Sequence, residues 1–181
     1  MLRTVLFHLL IFSLLGVSPA ETNAQTIEKN QDEVAFEYIT KLLTQSSFII
    51  DAPDSGYSYL RDGKGVRFSQ ENLKIFISIY TVPSPFNKVI EEARENLNIG
   101  GYTLLDSAHL TSKSGYKGFR TVQEVAAHDP GIYDVQIVMV TIFDYKGYSV
   151  LVSSVCPKKL DKEWRQKLIA SSLTLREEKS K

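Results

Sequence analysis

Tyr133-Asp134-Val135-Gln136-Ile137-Val138-Met139-Val140-Thr141-Ile142-Phe143-Asp144-Tyr145-Lys146-Gly147-Tyr148-Ser149-Val150-Leu151-Val152-Ser153-Ser154-Val155 decides the fold class. Two apolar runs, roughly 133–144 and 148–155, flank Lys146-Gly147, a pair suited to a tight hairpin turn. With a two-residue turn there, Tyr145 faces Tyr148, Phe143 faces Val150 and Thr141 faces Val152. On the other side Ile142 meets Leu151 and Val138 meets Val155. A hairpin with one wet face alternates apolar with polar residues. This one is apolar on both faces, so it belongs at the centre of a sheet covered from two sides. The covers are helices expected at 33–45, 85–97 and 160–172. The expected fold is therefore α+β: an antiparallel β-sheet sandwiched between helices, three layers in α/β/α order.

The flanking segments fit that frame. Leu73 to Val82 reads as a strand, with Leu73, Ile75, Ile77 and Ile79 on one face and Lys74, Phe76, Ser78 and Tyr80 on the other. Ser84 and Pro85 suit the N-cap and first position of the helix that follows. Phe86, Val89, Ile90, Ala93 and Leu97 form its apolar stripe, and Gly100-Gly101 stops it. Ala35, Tyr38, Ile39 and Leu42 give the first helix a similar stripe, while Trp164 and Leu168 lie one turn apart in the last. Leu173 to Leu175 is expected to form a final short strand, with a charged, frayed tail from Arg176. Another hairpin joins 102–112 to 116–126 through Ser114-Gly115, with the Asp129-Pro130-Gly131 turn before the central pair.

A two-residue turn at Ser114-Gly115 puts Leu104, Asp106, Ala108 and Leu110 on the face of Phe119, Thr121, Gln123 and Val125. The opposite, polar face then carries Ser107, His109 and Thr111 with Arg120 and Glu124, and His109 stands opposite Arg120. Tyr102 and Tyr116 lie near its ends. Arginine and tyrosine are favoured interface anchors, so His109, Arg120, Glu124, Tyr102 and Tyr116 form the candidate partner surface. The competing reading is a solvated sheet face holding an Arg–Glu pair.

The chain has 181 residues, 43% of them hydrophobic, with 21 Lys+Arg balancing 21 Asp+Glu. That composition excludes wholesale disorder and nucleic-acid recognition through a basic excess. Residues 1–20 read as a signal peptide: Arg3, an apolar run from Val5 to Leu15, then Ser18 and Ala20 at small-residue cleavage positions. Cleavage is expected near Ala20 or Ala24. The run is shorter than the roughly 20 apolar residues of a membrane span, so the mature chain is expected to hold none. Residues 21–32 are then a flexible linker, 33–176 one α+β domain and 177–181 a charged tail. The single cysteine, Cys156, allows no internal disulfide and lies far from the cleavage region, which argues against a lipoprotein anchor. The expected destination is the periplasm or the extracellular space.

Catalytic and metal chemistry find little footing. Once His8 is removed, His109 and His128 stand apart with no ligand-like spacing, and a catalytic zinc usually takes three protein ligands. Asp106 and His109 are three apart on one strand, which points them to opposite faces. No Gly-x-Ser-x-Gly elbow is present. Gly63-Lys64-Gly65 and Lys113-Ser114-Gly115 lack the P-loop pattern and read as turns. Cys156 ends an apolar strand and reads as a buried, inert thiol. No cofactor is implied. The expectation is a non-enzymatic binding or assembly module with a protein partner. The alternatives are a small-ligand or lipid-binding protein with a cavity between helix and sheet, and an extracytoplasmic hydrolase using His109 or His128.

The order of elements carries a family likeness. A short strand leads into an Ala52-Pro53 turn and a Gly56-Tyr57 step. An apolar strand, a capped helix and two long hairpins follow, and the last helix ends in Ala170-Ser171-Ser172-Leu173-Thr174-Leu175. Over about 47–176 this resembles the PsbP/DcrB-like superfamily, which also includes a eukaryotic Ran-GTPase-binding protein. The resemblance implies an antiparallel sheet between helices, and assembly or adaptor roles more often than catalysis. No functional residue matches well enough to be carried over. The missing lipid-anchor cysteine departs from the lipoprotein members.

Overall fold

The computed structural model describes residues 48–62, 65–70, 73–96, 102–126 and 135–178. The expected signal peptide (1–20), linker (21–32), first helix (33–45), Leu97, Gly100-Gly101, His128 and the Asp129-Pro130-Gly131 turn lie outside the described residues. In chain order the elements are β1 (Phe48–Ile49), β2 (Ser58–Asp62), β3 (Gly65–Gln70), β4 (Ile75–Val82) and α1 (Phe86–Asn96). Then come β5 (Tyr102–Thr111), β6 (Lys117–Val125), β7 (Gln136–Tyr145), β8 (Tyr148–Pro157), a 3₁₀ turn (Lys158–Leu160), α2 (Asp161–Ser172) and β9 (Arg176–Glu177). Seven strands form one antiparallel sheet in the order β2-β3-β4-β8-β7-β6-β5, and β1 pairs with β9 separately.

The central hairpin has the expected register. Lys146 and Gly147 both adopt positive φ, 48° and 90°, as a type I′ turn requires. Tyr145 pairs with Tyr148, Phe143 with Val150, Ile142 with Leu151 and Val138 with Val155. One sheet face packs under α2: Ile77, Val152, Met139 and Phe143 are buried with Trp164 and Leu168. The other packs under α1: Tyr80, Leu151, Ile142 and Phe119 are buried with Val89, Ile90 and Ala93. The sheet lies between helices, as two-sided apolarity predicts. The Ser149 hydroxyl donates to the Ser84 carbonyl at 2.9 Å, fixing the start of α1 to β8. Amides of 137–143 and 150–155 are expected to exchange slowest with deuterated solvent, since central strands open only near global unfolding. Exchange there as fast as in the hairpin tip 112–116 would contradict the layered arrangement.

The small polar residues after α2 join the two ends of the domain. The Asp51 amide donates to the Thr174 hydroxyl at 2.7 Å, and that hydroxyl donates to the Ser171 carbonyl, also at 2.7 Å. The Ser171 hydroxyl donates to the Asp51 carbonyl. The Leu173, Thr174 and Leu175 amides donate back to the Ile169, Ser171 and Ser172 carbonyls, so the expected strand there is displaced to Arg176–Glu177, against Ile49 and Phe48. Arg176, expected in a frayed tail, instead pairs with Asp51 at 2.7 Å.

The first hairpin departs from expectation by one residue. Its loop is Lys113-Ser114-Gly115, not Ser114-Gly115. The Ser112 amide donates to the Tyr116 carbonyl at 2.9 Å, the Gly115 amide to the Ser112 carbonyl at 3.0 Å, and Gly115 has φ 88°. A three-residue loop ending in a left-handed residue is a favoured alternative to the two-residue turn. It pairs His109 with Phe119 and Ala108 with Arg120. A one-residue slip sends each side chain to the other face.

Candidate interaction surface

Among the described residues β5 forms one edge of the sheet, and seven of its ten residues are exposed. Its pairing with β6 runs without break from Thr111↔Lys117 to Asp106↔Val122 and then shifts, resuming at Leu104↔Gln123. Leu105 is the extra residue of a β-bulge, which sets two residues of one strand against one of its neighbour. Leu104 and Leu105 are 45% and 41% exposed.

The five residues expected to share a partner surface do not share one. Arg120 lies on the α2 face, where it donates to Asp106 at 2.9 Å; the two side chains are 14% and 47% exposed. The Arg120 Nε is buried without a partner. Glu124 is on the same face but accepts from Lys158 at 2.8 Å, so the expected Arg120–Glu124 pair is replaced by two others. His109 is on the α1 face, its ring 5.0 Å from that of Phe119, over which Arg94 also sits at 4.9 Å. Tyr102 stands opposite Val125, and burial raises its hydroxyl pKa. Tyr116 belongs to an aromatic cluster at the hairpin tip, 5.4 Å from Tyr145 and 6.2 Å from Phe48 between ring centres. The slip in register is the physical cause: it separates His109 from Arg120 and turns Asp106 toward the arginine.

Arg120 is accordingly a mostly buried ion-pair member. Its charge reversal would set two carboxylates side by side under partial burial, and is expected to lower stability itself. The sequence held no local signal for this arrangement, since a glycine at 115 suits the last position of a two-residue and of a three-residue loop alike. The bulge had a weak sign in the doubled Leu104-Leu105, which interrupts alternation.

The chemistry elsewhere is structural. Cys156 is fully buried; burial, reinforced by Asp161, pushes its thiol up to about 12 from 9.0. The folded state thus keeps the neutral thiol while the unfolded chain ionises above pH 9, so this contribution to stability is complete below pH 9 and lost as pH rises toward 12. A thiol-specific disulfide reagent at pH 8 should modify native protein at least ~100-fold more slowly than unfolded protein, because the thiolate is the reacting form. Equal rates would contradict the burial. Among the described residues no group of three His, Cys, Asp or Glu side chains is placed to hold a metal ion.

Beside Cys156, Tyr57 and Trp164 pack with ring centres 5.9 Å apart, and Lys167 lies 4.2 Å from the Trp164 ring centre. The Tyr57 hydroxyl, the Trp164 indole N–H and the Gln70 side-chain carbonyl are buried without partners. Burial is the first cause of the raised Tyr57 pKa, ahead of Cys156 and Asp54. An unpaired buried hydroxyl is a liability of about 1–3 kcal/mol. Tyr57→Phe is therefore expected to leave the melting temperature unchanged or raise it. A fall of several degrees would show that the hydroxyl is bonded.

No family model matches the sequence, and no curated protein is significantly similar to it. Several solved structures are similar in fold. LpqN of Mycobacterium tuberculosis, described as involved in cell envelope biogenesis, aligns with a TM-score of 0.53 at 13% identity, over 72% of this chain and 83% of LpqN. Cyanobacterial PsbP from Synechocystis aligns with a TM-score of 0.44 at 9% identity, over 74% of this chain and 94% of PsbP. A Pseudomonas aeruginosa protein of unknown function aligns with a TM-score of 0.48 at 8% identity, over 70% and 100%. The likeness to LpqN establishes a shared fold. Among the described residues no helix is long and apolar enough to cross a membrane.

Proposed function

We propose that this chain is an exported, non-enzymatic binding or assembly module, a distant PsbP/DcrB-like protein that contacts a protein partner through the β5 edge. The observation that carries the reading is the exposed Leu104-Leu105 step on a ten-residue edge strand. Large apolar side chains left open beside an unpaired edge mark interaction sites. Export is supported by the Arg3, Val5–Leu15 and Ser18-x-Ala20 pattern. The fold shared with LpqN, a protein of cell envelope biogenesis, fits that setting.

The test uses a tagged full-length chain expressed in its native host. Wild-type protein in a gentle extract should elute from a sizing column well above the mass of one processed chain, itself less than the 20.4 kDa of residues 1–181. Leu104→Ser/Leu105→Ser should elute as the free chain with an unchanged melting temperature, exposed substitutions usually costing within about 0.5 kcal/mol. Identical elution of both would refute the edge as the contact surface. Mass spectrometry of the same material should find an amino terminus near Glu21 or Gln25, and an intact Met1 would refute export.

A further inference from the structure

We infer that the partner engages β5 by strand addition: an extended segment of another protein pairs main chain to main chain with Asp106–Thr111 as an eighth strand and sets an apolar side chain against Leu104 and Leu105. The inference rests on the edge being the contact surface and adds the mode and chemistry of contact.

Sheet edges are usually blocked by lysine, proline, inward charges or extreme shortness. The opposite edge, β2, has only five residues. β5 has ten residues, Tyr-Thr-Leu-Leu-Asp-Ser-Ala-His-Leu-Thr, with no lysine, arginine or proline. Its one carboxylate, Asp106, is paired with Arg120 on its own sheet. The bulge kinks only the Leu104–Asp106 end, leaving six residues in regular register, about 20 Å of strand at ~3.4 Å per residue. Neither the length nor the charge pattern obstructs an added strand.

The exposed area selects the occupant. A second folded copy would bring a surface of roughly 800 Å² per partner, while the apolar offering here is two half-exposed leucines. Strand addition draws its affinity from main-chain hydrogen bonds and needs side-chain pockets only at alternate positions. Ala108, small and half-buried between Asp106 and Leu110, leaves room on the α2 face for a large side chain of the added strand. Exposed Lys113, just beyond Thr111, favours an acidic residue at that end. The partner segment is thus extended and proline-free, apolar at alternate positions, with an acidic residue at the end beside Lys113.

The probe is a phage-displayed library of random twelve-residue peptides selected on the full chain. Selected peptides should show this pattern and slow the exchange of alternate amides within Asp106–Thr111 at least tenfold. N-methylation of one alternate set of peptide amides should weaken binding at least tenfold, and methylation of the other set should not. Peptides that shift Leu104 and Leu105 signals without protecting β5 amides would overturn strand addition and leave the edge as the contact surface. Peptides that protect only another surface, or no selected peptide at all, would overturn strand addition; the column experiment on Leu104→Ser/Leu105→Ser then decides separately whether the edge is used.

Discussion

Phe143→Ala is expected to lower stability by about 3–5 kcal/mol, a fall of roughly 10 °C or more in melting temperature for a domain of this size. Phe143 is fully buried on the α2 face, between Gly118 of β6 and Val150 of β8. Its neighbours belong to the strands buried on both faces, so the cavity has little freedom to collapse. Thermal unfolding followed by circular dichroism checks the value. A loss below about 1 kcal/mol would mean that the α2 layer is not closely packed there.

Gly118→Ala should cost about 1–3 kcal/mol through overpacking. A Cβ at Gly118 would lie 2.7 Å from Leu110 Cδ1, 2.9 Å from Phe143 Cδ1 and 3.0 Å from the Ile142 carbonyl oxygen. The side chains can move, but the carbonyl belongs to a central strand. The glycine therefore serves close approach, the aromatic ring covering the place where its side chain would be. Because the two sites touch, their effects should not add. Gly118→Ala combined with Phe143→Leu should lose less stability than the two single changes together, since the smaller residue vacates the clash. Strict additivity would show that the ring does not occupy the space above Gly118.

The central architecture was legible because two faces of one hairpin can be read from alternation alone. Lys146-Gly147 fixed the register, and apolar residues on both faces required two covers. The helix after β4 was equally plain in its stripe, Val89, Ile90 and Ala93 being buried as expected, although it begins at Phe86 and not at Pro85. The candidate surface failed at Gly115, where one more loop residue separates His109 from Arg120 and joins Arg120 to Asp106. Loop length is a local choice between turns of similar energy, and Lys113-Ser114-Gly115 suits both. The bulge at Leu105 then shifts the pairing again, so that Leu104 does share a face with Gln123 and Val125 as expected while Asp106, Ala108 and Leu110 do not. The role of Ser171 and Thr174 depended on Asp51, some 120 residues away in sequence, a contact that no local pattern announces.

The most direct measurement of the proposed role is site-specific photocrosslinking in the native host. A photoreactive amino acid is placed at Leu105 on the edge and, for comparison, at Lys162 on the exposed side of α2. The account predicts a discrete adduct with one protein from position 105 and none from position 162. An adduct from position 162 with none from 105 would contradict it and move the contact surface to the helical layer.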